Sequence, residues 1–346
     1  MAEEPVDPAF DHALALSLDA TERWDNAGLN QVDNTLLDNL STIGESPDGD
    51  TQIEGNLGTL EKLPHGVLWS VLAQLDVCTV RTFRRVNRQA QELVDALTHY
   101  NTINTHAPHV IPAILSIEAG RWISCGDLWK AFCTATCEEC GRFANFLYIP
   151  TCKKVCFYCF TGGRTIAVPF LYEDAREMFG VTDDILQTLP NMLSIPGTYG
   201  PDDFKTDERF PLVDRLSAYF AGIERHGSRF DMERYASEKL FDKRSQAWEE
   251  AGKQRRRPRL QDYWDEEEKN IWSEEPNTGF RFMAVVHLAP FNRLTQEFEL
   301  GFSCVACLGS CERHTVASFR EHINQYGNIQ EGDPDSWPRA YHVLPM

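Results

Sequence analysis

The chain has 346 residues and a mass of 39.4 kDa, and its 33 basic and 52 acidic side chains give a formal net charge of −19. These values exclude a small disulfide-stabilised protein, a histone-like DNA-packaging protein and a protein with several membrane spans. With 42% hydrophobic residues, the chain can bury a large core, and we expect a soluble protein of two or three domains.

The 11 cysteines and the N-terminal residues bear on the cellular compartment. The stretch MAEEPVDPAF has neither the basic nor the apolar region of a signal peptide, and no run of about 18 apolar residues occurs. We therefore expect reduced cysteines, a cytoplasmic or nuclear location and no membrane partner.

Residues 1–59 are the most acidic part of the sequence, with 13 acidic residues against one basic residue, Arg23. They are rich in Pro, Gly, Asn and Asp and poor in large apolar side chains, a composition that predicts a disordered acidic tail. A few apolar residues recur at helical spacing within this tail: Val32, Leu36, Leu37, Leu40 and Ile43. This pattern indicates either a partner-binding helix or a transient one.

Residues 60–100 are predicted to form a module of three short helices. Apolar residues from Leu60 onward follow the i, i+3, i+4, i+7 pattern of an amphipathic helix, with Pro64 in its first turn. Asp76 is the predicted N-cap of the second helix, and Asn87 is that of the third. Three short helices have little core of their own, so the module must pack on the rest of the chain or bind a partner.

The remaining sequence divides into two regions, 101–200 and 201–346. In the first, helices up to Phe132 precede a cysteine-dense stretch with one predicted strand, FANFLYI; further helices are expected over 172–189, and PGTYGPDD is predicted as a loop. The second begins with a charged helical region and continues with two predicted strands, FRFMAVVHL and QEFELGFSC. We expect these strands to form a β-hairpin that leads into a second cysteine cluster.

The first cysteine cluster contains six cysteines between positions 133 and 159. Its inner four form two C-x2-C pairs separated by 15 residues: Cys137, Cys140, Cys156 and Cys159. Two such pairs supply the four thiolates of a tetrahedral structural zinc, which we expect here. The alternatives are buried free thiols, a disulfide, or a redox motif, which needs a single pair at a helix N-terminus. Cys133 and Cys152 have no assigned role.

The second cluster begins with the pair Cys304 and Cys307, and we predict His322 as a third zinc ligand. Cys311 and His314 remain open as sources of the fourth ligand, and the alternative is a pair packed as small hydrophobic residues. Zinc sites closed by four protein ligands stabilise a fold and activate no water. The predicted fold class is therefore mainly α with small β-hairpins, a three-helix N-terminal module being followed by a zinc-stabilised α+β domain.

No catalytic motif competes with the cysteine clusters. The sequence contains no glycine-rich phosphate loop, no H-E-x-x-H and no nucleophile elbow, so we expect a protein that is not an enzyme. The basic residues at 253–259 are interpreted as a solvated face, with a nuclear-localisation signal or a phosphate contact as the alternatives.

The three-helix module resembles an F-box. The family pattern has a Leu-Pro start, apolar pairs at helical steps, a Leu-Asp pair and a following Phe or Leu. The matching positions are Leu63, Pro64, Val67, Leu68, Val71, Leu72, Leu75, Asp76 and Phe83. The resemblance implies that all of these except Asp76 form the surface that binds the adaptor subunit.

The sequence after the module is similar to a group of filamentous-fungal F-box proteins that carry a cysteine-knuckle domain. The similar segments include CEECGRF, TCKKVCFYCF and LPNMLSIPGTY, and the resemblance covers about residues 60–322. In that group a further cysteine follows the histidine of the C-terminal cluster, whereas Tyr326 stands near that position here.

The resemblance implies a substrate-recognition subunit of an SCF-type cullin-RING ubiquitin ligase. Such a subunit binds the adaptor, and through it the cullin, by its F-box and binds a target protein by its remaining domain. The alternative is a zinc-ribbon nucleic-acid-binding or transcription-associated protein, which requires a basic face around the cysteines. The five charged residues around the first cluster give a net charge of only +1, so nucleic acid is not an expected partner: Glu138, Glu139, Arg142, Lys153 and Lys154.

Overall fold

The computed structural model describes residues 8–26, 35–40, 54–161, 168–250, 278–307, 312–332 and 340–343. The helices are α1 (Pro8–Asn26), α2 (Leu36–Asn39), α3 (His65–Gln74), α4 (Val77–Arg84), α5 (Arg88–Asp95), α6 (Thr98–His106), α7 (Val110–Ser116), α8 (Cys125–Phe132), α9 (Phe157–Thr161), α10 (Tyr172–Phe179), α11 (Asp183–Leu186), α12 (Arg215–His226), α13 (Arg229–Glu250), α14 (Thr278–Met283) and α15 (Val316–Tyr326).

The strands form small antiparallel sheets. They are β1 (Phe146–Tyr148), β2 (Lys153–Val155), β3 (Pro169–Leu171), β4 (Asn191–Leu193), β5 (Gly197–Tyr199), β6 (Phe204–Thr206), β7 (Pro211–Asp214), β8 (Val285–His287), β9 (Phe291–Asn292), β10 (Glu297–Phe298), β11 (Asn328–Glu331) and β12 (Ala340–Val343). The fold is mainly α with small β-hairpins, which confirms the predicted fold class. None of the helices among the described residues is both long enough and apolar enough to cross a membrane.

Helices α3–α5 form the predicted three-helix module, and both predicted N-caps are confirmed. The Asp76 carboxylate accepts the Thr79 amide at 2.9 Å, and the Asn87 side chain accepts the Ala90 amide at 2.8 Å. The predicted start at Leu60 is wrong, because that residue lies in a separate 3₁₀ turn. A proline disfavours the α-helical conformation for the residue that precedes it. Leu63 is therefore extended, and α3 begins after Pro64.

The module packs on the helices that follow it. Leu68 and Leu72 on α3 are buried in the same core as the side chains of α6–α8. Two backbone hydrogen bonds join the module to the following chain: the Val77 amide donates to Ile123, and the Cys125 amide donates to Leu75. The module therefore shares the main core of the protein and is not a separate unit on a linker.

The central sheet has the strand order β2-β1-β8, and this order corrects the predicted C-terminal hairpin. Strand β8 pairs with β1 in the first cysteine region, while FRFM forms α14. The local hairpin is much shorter and consists of β9 and β10. Val285 and Val286 are consecutive and both buried. Such a continuous apolar strand lies inside a core rather than on a half-exposed hairpin.

A second sheet, with the order β3-β7-β4, packs against α10 and α12, and α13 packs against these two helices. Its core includes Phe170, Phe179, Val213 and Met232. The sequence analysis predicted none of these strands, and PGTYGPDD, predicted as a loop, contributes to the β5–β6 hairpin. Strands of three or four residues are too short to show a clear period-2 pattern, which explains why the sequence analysis missed them.

The prediction of disorder is wrong for two segments of the acidic region. Helix α1 buries Phe10 and Ala13 against the C-terminal part of the chain, and α2 buries Leu36 in the main core. Composition alone missed these segments because their stability comes from tertiary packing of a single apolar face. Residues 54–59 of the predicted tail are described and lead into a 3₁₀ turn. Residues 1–7, 27–34 and 41–53 of the tail and the basic residues at 253–259 lie outside the described residues.

Candidate functional site

The first candidate metal centre is built on one hairpin of the central sheet. Cys137 and Cys140 lie in a turn before β1, and Cys156 and Cys159 lie at the start of α9, just after β2. The turn is closed by hydrogen bonds from the Cys137 amide to Arg142 and from the Gly141 amide to Cys137. Gly141 has a φ of +74°, a conformation that costs glycine no steric strain.

The geometry of this centre fits a tetrahedral ion. All four sulfur atoms lie within 4.8 Å of one another, and the sulfurs of Cys140 and Cys156 are 3.6 Å apart. A zinc ion bonded to sulfur at about 2.3 Å separates two sulfur ligands by about 3.8 Å. Two of the thiols, on Cys137 and Cys156, are buried. The four predicted ligands of the first centre are thus brought together and could hold a metal ion.

The thiols of Cys137 and Cys156 in the first centre have pKa values shifted in opposite directions. The pKa of Cys137 is lowered, first by a hydrogen bond from the Cys156 thiol and also by backbone amides in the turn. The same hydrogen bond raises the pKa of Cys156, and burial raises it further. One thiolate is therefore stabilised before any cation binds, and a bound cation displaces the remaining thiol protons.

The second candidate centre is assembled from three separate elements. Cys304 and Cys307 flank a 3₁₀ turn, His322 lies on α15, and His342 lies on β12. The His342 Nε2 atom is 3.4 Å from the Cys304 sulfur and 3.3 Å from the Cys307 sulfur. The two histidine Nε2 atoms are 3.2 Å apart. Tetrahedral zinc places sulfur and nitrogen ligands about 3.6 Å apart and two nitrogens about 3.3 Å apart.

The fourth ligand of this centre is a residue that the sequence analysis missed. The predicted ligands Cys304, Cys307 and His322 are brought together, and His342 completes the set. The open alternative Cys311 lies outside the described residues. His314 is not part of the ligand set; it is buried beside the His322 ring, with its centroid 4.6 Å away.

Neighbouring groups orient the ligands of the second centre. The His342 Nδ1 atom is 2.9 Å from the Gly327 carbonyl. When Nδ1 donates its hydrogen there, Nε2 keeps a lone pair that faces the cysteines. The pKa of Cys307 is lowered, first by a hydrogen bond from Cys304 and then by His322. Tyr326 packs its ring against His322.

Helix α1 supports the second centre from the opposite end of the sequence. The Ser17 hydroxyl accepts the Val305 amide at 3.2 Å, and the Thr21 hydroxyl accepts the Ser303 amide at 2.8 Å. Both amides belong to the segment that carries the cysteine pair. Phe10 and Phe319 complete the small apolar core below it. The N-terminal helix is therefore part of the structure that holds the second ligand set.

The remaining described cysteines lie outside both ligand sets. Cys125 is buried and Cys152 is half-buried, and burial raises the pKa of the Cys125 thiol to about 12. Cys133 is half-buried and packs against the main core, and Cys78 is also half-buried. These four thiols pack among other side chains, where they act as small hydrophobic residues.

The eight predicted adaptor-binding residues are divided between the two faces of the module. Leu63, Val67 and Val71 are exposed by 38%, 45% and 47%, and Pro64 is also exposed. The other four are turned toward the protein's own core: Leu68 and Leu72 are buried, while Leu75 and Phe83 are half-buried. Val67 and Val71 are four residues apart and lie on one face of α3, and Leu63 lies just before this helix.

Comparisons with known proteins give no relative for this chain. It matches no family model, no curated protein and no solved structure.

Proposed function

We propose that the chain is the substrate-recognition subunit of an SCF-type cullin-RING ubiquitin ligase. In this proposal, α3–α5 are the F-box that binds the adaptor subunit, and the rest of the chain holds a target protein for ubiquitin transfer. The chain itself is a receptor and not an enzyme. Its contribution to the reaction is to raise the effective concentration of the target near the conjugating enzyme.

The observation that carries this proposal is the exposed apolar face of α3. Val67 and Val71 remain exposed although Leu68 and Leu72 on another face of the same helix are buried, and Leu63, just before the helix, is also exposed. Trp69 and Val86 are also exposed, by 40% and 53%. Several exposed apolar side chains in one small module are typical of a protein-binding site. The match to the F-box pattern specifies the adaptor subunit as the partner, because the exposed residues fall at family positions.

We further propose that both cysteine clusters hold zinc. Thiolate and imidazole ligands at tetrahedral spacing favour zinc over hard cations such as Mg²⁺ or Ca²⁺. Four protein ligands leave no open coordination position, so the ions stabilise the target-binding part of the chain and take no part in chemistry.

The structure offers little support for the nucleic-acid alternative. Lys154 is completely buried, its ammonium donates to the Leu288 carbonyl, and burial lowers its pKa to about 7. Arg142 forms an ion pair with Glu312 at 3.4 Å. Lys154 is therefore not available to an external ligand, and Glu312 offsets the charge of the half-exposed Arg142, which leaves little basic surface around the first centre.

The test is a binding measurement between the purified full-length chain and the purified adaptor subunit. We expect the double substitution V67D/V71D to weaken binding at least a hundredfold, because it places two charges in an apolar interface. The matched control is Leu294→Asp, at a position that is 95% exposed and outside the module. This control should bind the adaptor as the wild type does.

Calorimetry or size-exclusion chromatography separates the outcomes. Failure of the wild-type chain to bind the adaptor, or equal binding by V67D/V71D and the wild type, would contradict the proposal. A circular-dichroism melt of each variant checks that the charges act on the interface and leave the fold intact.

A further inference from the structure

The short helix α2 is docked on the protein in the manner of a bound peptide. It consists of one helical turn and lies against β5 and β8. The segments that link it to its neighbours in the described chain are residues 27–34 and 41–53. A single turn is far too short to be stable by itself in water, so its order depends on the surface that holds it.

The main anchor is Leu36, whose side chain is completely buried in the main core. Leu37 and Leu40 are half-buried and pack on the same core. The turn is also organised internally, because the Asp38 carboxylate accepts both the amide and the hydroxyl of Thr35, at 2.7 and 3.0 Å. A buried leucine in a pocket, with weaker contacts around it, is the arrangement that concentrates binding energy in peptide complexes.

The second anchor is Asn39, which binds the backbone of the edge strand β5. Its side-chain amide donates to the Thr198 carbonyl at 2.8 Å, and its carbonyl oxygen accepts the Thr198 amide at 3.0 Å. Among the described residues β5 pairs with β6 alone, so these backbone groups of Thr198 lie on the open edge of a two-stranded sheet. Binding to such an edge is a common mode of peptide recognition.

Gly197 provides the space for this contact. A Cβ atom at position 197 would collide with the side chain of Asn39. The φ angle of Gly197 is not positive, so an alanine there is compatible with the backbone and would act only by filling the space. We call the surface that binds α2 the groove. It combines an apolar pocket that holds the Leu36 side chain with a space beside Gly197 that holds the Asn39 side chain.

We propose that this groove is a peptide-binding site and that residues 35–40 occupy it as an intramolecular ligand. The external ligand is a short helical peptide with the pattern Thr-Leu-Leu-Asp-Asn-Leu, in which the first leucine and the asparagine are the anchors. This inference builds on the proposed receptor role, in which the groove would bind the target. A tethered ligand has an effective concentration in the millimolar range, so it suppresses binding of an equivalent free peptide.

The experiment measures binding of a fluorescently labelled synthetic peptide, residues 31–44, to the full-length chain by fluorescence anisotropy. We expect the Asn39→Ala chain to bind the peptide at least tenfold more tightly than the wild type, because its own segment docks weakly. The same peptide with alanine in place of Asn39 should bind at least tenfold more weakly. Adding Gly197→Ala to the Asn39→Ala chain should abolish the increase in peptide affinity, because the added methyl group fills the space that the asparagine of the peptide needs.

A second variant guards against loss of folding, because Asn39 is a buried residue. Asp38 is exposed and bonds only within its own turn, so Asp38→Ala loosens the intramolecular ligand and leaves the groove unchanged. It should also bind the peptide more tightly than the wild type. Circular-dichroism melts establish that each variant is folded.

Equal binding by the wild type and both loosened variants would overturn the proposal, as would binding that Gly197→Ala does not reduce. The adaptor is absent from this assay. A chain that binds the peptide but not the adaptor would refute the ligase role alone, and a chain that binds the adaptor but not the peptide would refute the groove alone.

Discussion

The two candidate metal centres differ in how much of the chain is needed to build them. The first takes all four ligands from the two ends of one hairpin, between Cys137 and Cys159, and lies in the main core. The second joins a cysteine pair to histidines on α15 and β12 and rests on α1 from the other end of the sequence. Similar sets of cysteine and histidine side chains thus lie in the main core in one case and in a small local core in the other.

The largest effect is expected at the first centre. The double substitution C137S/C140S removes two of its four ligands, and structural zinc contributes about 10–16 kcal/mol, comparable to the whole stability of a domain. We expect the chain to lose its cooperative thermal transition, measured by circular dichroism. The matched control Cys133→Ser changes a half-buried cysteine outside the ligand set and should retain both the transition and the metal.

A smaller, local effect is expected at the second centre. His342→Ala removes one ligand and should release one metal ion while the main transition persists. Hydrogen exchange measured by mass spectrometry should then increase in residues 8–26 and 312–332 and stay unchanged in 54–161. His65→Ala is the control, because His65 is an exposed histidine on α3, outside residues 8–26 and 312–332. Loss of protection throughout the chain would remove the distinction between the two centres.

The docking of α1 can be weakened without touching a ligand. Phe10 is 3% exposed, and replacing a buried phenylalanine by alanine costs about 3–5 kcal/mol. We expect Phe10→Ala to increase exchange in residues 8–26, with the metal content unchanged. Leu18, on the exposed side of α1, provides the control substitution Leu18→Ala. Comparable exchange in the two variants would argue against the observed packing.

The smallest effect is expected at a single hydrogen bond below the second centre. Ser17→Ala removes the acceptor of the Val305 amide, at a cost of about 1 kcal/mol. Because that amide belongs to the turn between the two cysteines, a chelator should extract metal from the second centre about fivefold faster. Extraction from the first centre should not change, and an equal acceleration at both centres would contradict the assignment.

The sequence was informative where the determining contacts are local. The caps at Asp76 and Asn87 depend on residues three positions away, and the first cysteine cluster depends on two tight turns around one strand. Each pattern therefore appears in a short window. The exposed and buried positions on α3 follow from the same helical periodicity.

The sequence failed where long-range packing decides the structure. Nothing near His342 marks it as a ligand, because its position depends on the pairing of β11 with β12 and on α15. Strand β8 pairs with β1, which is far away in the sequence, and no local sequence pattern indicates this pairing. Helix α1 has an acidic composition that predicts disorder, yet its face with Phe10 and Ala13 is buried by distant residues.

The central claim is that the chain holds two metal ions and that His342 is a ligand of the second. Native mass spectrometry of the purified full-length chain, beside His342→Ala, tests this claim most directly. The account predicts a mass corresponding to two zinc ions for the wild type and one for His342→Ala. A wild-type chain with a single ion, or a His342→Ala chain that retains two, would contradict it.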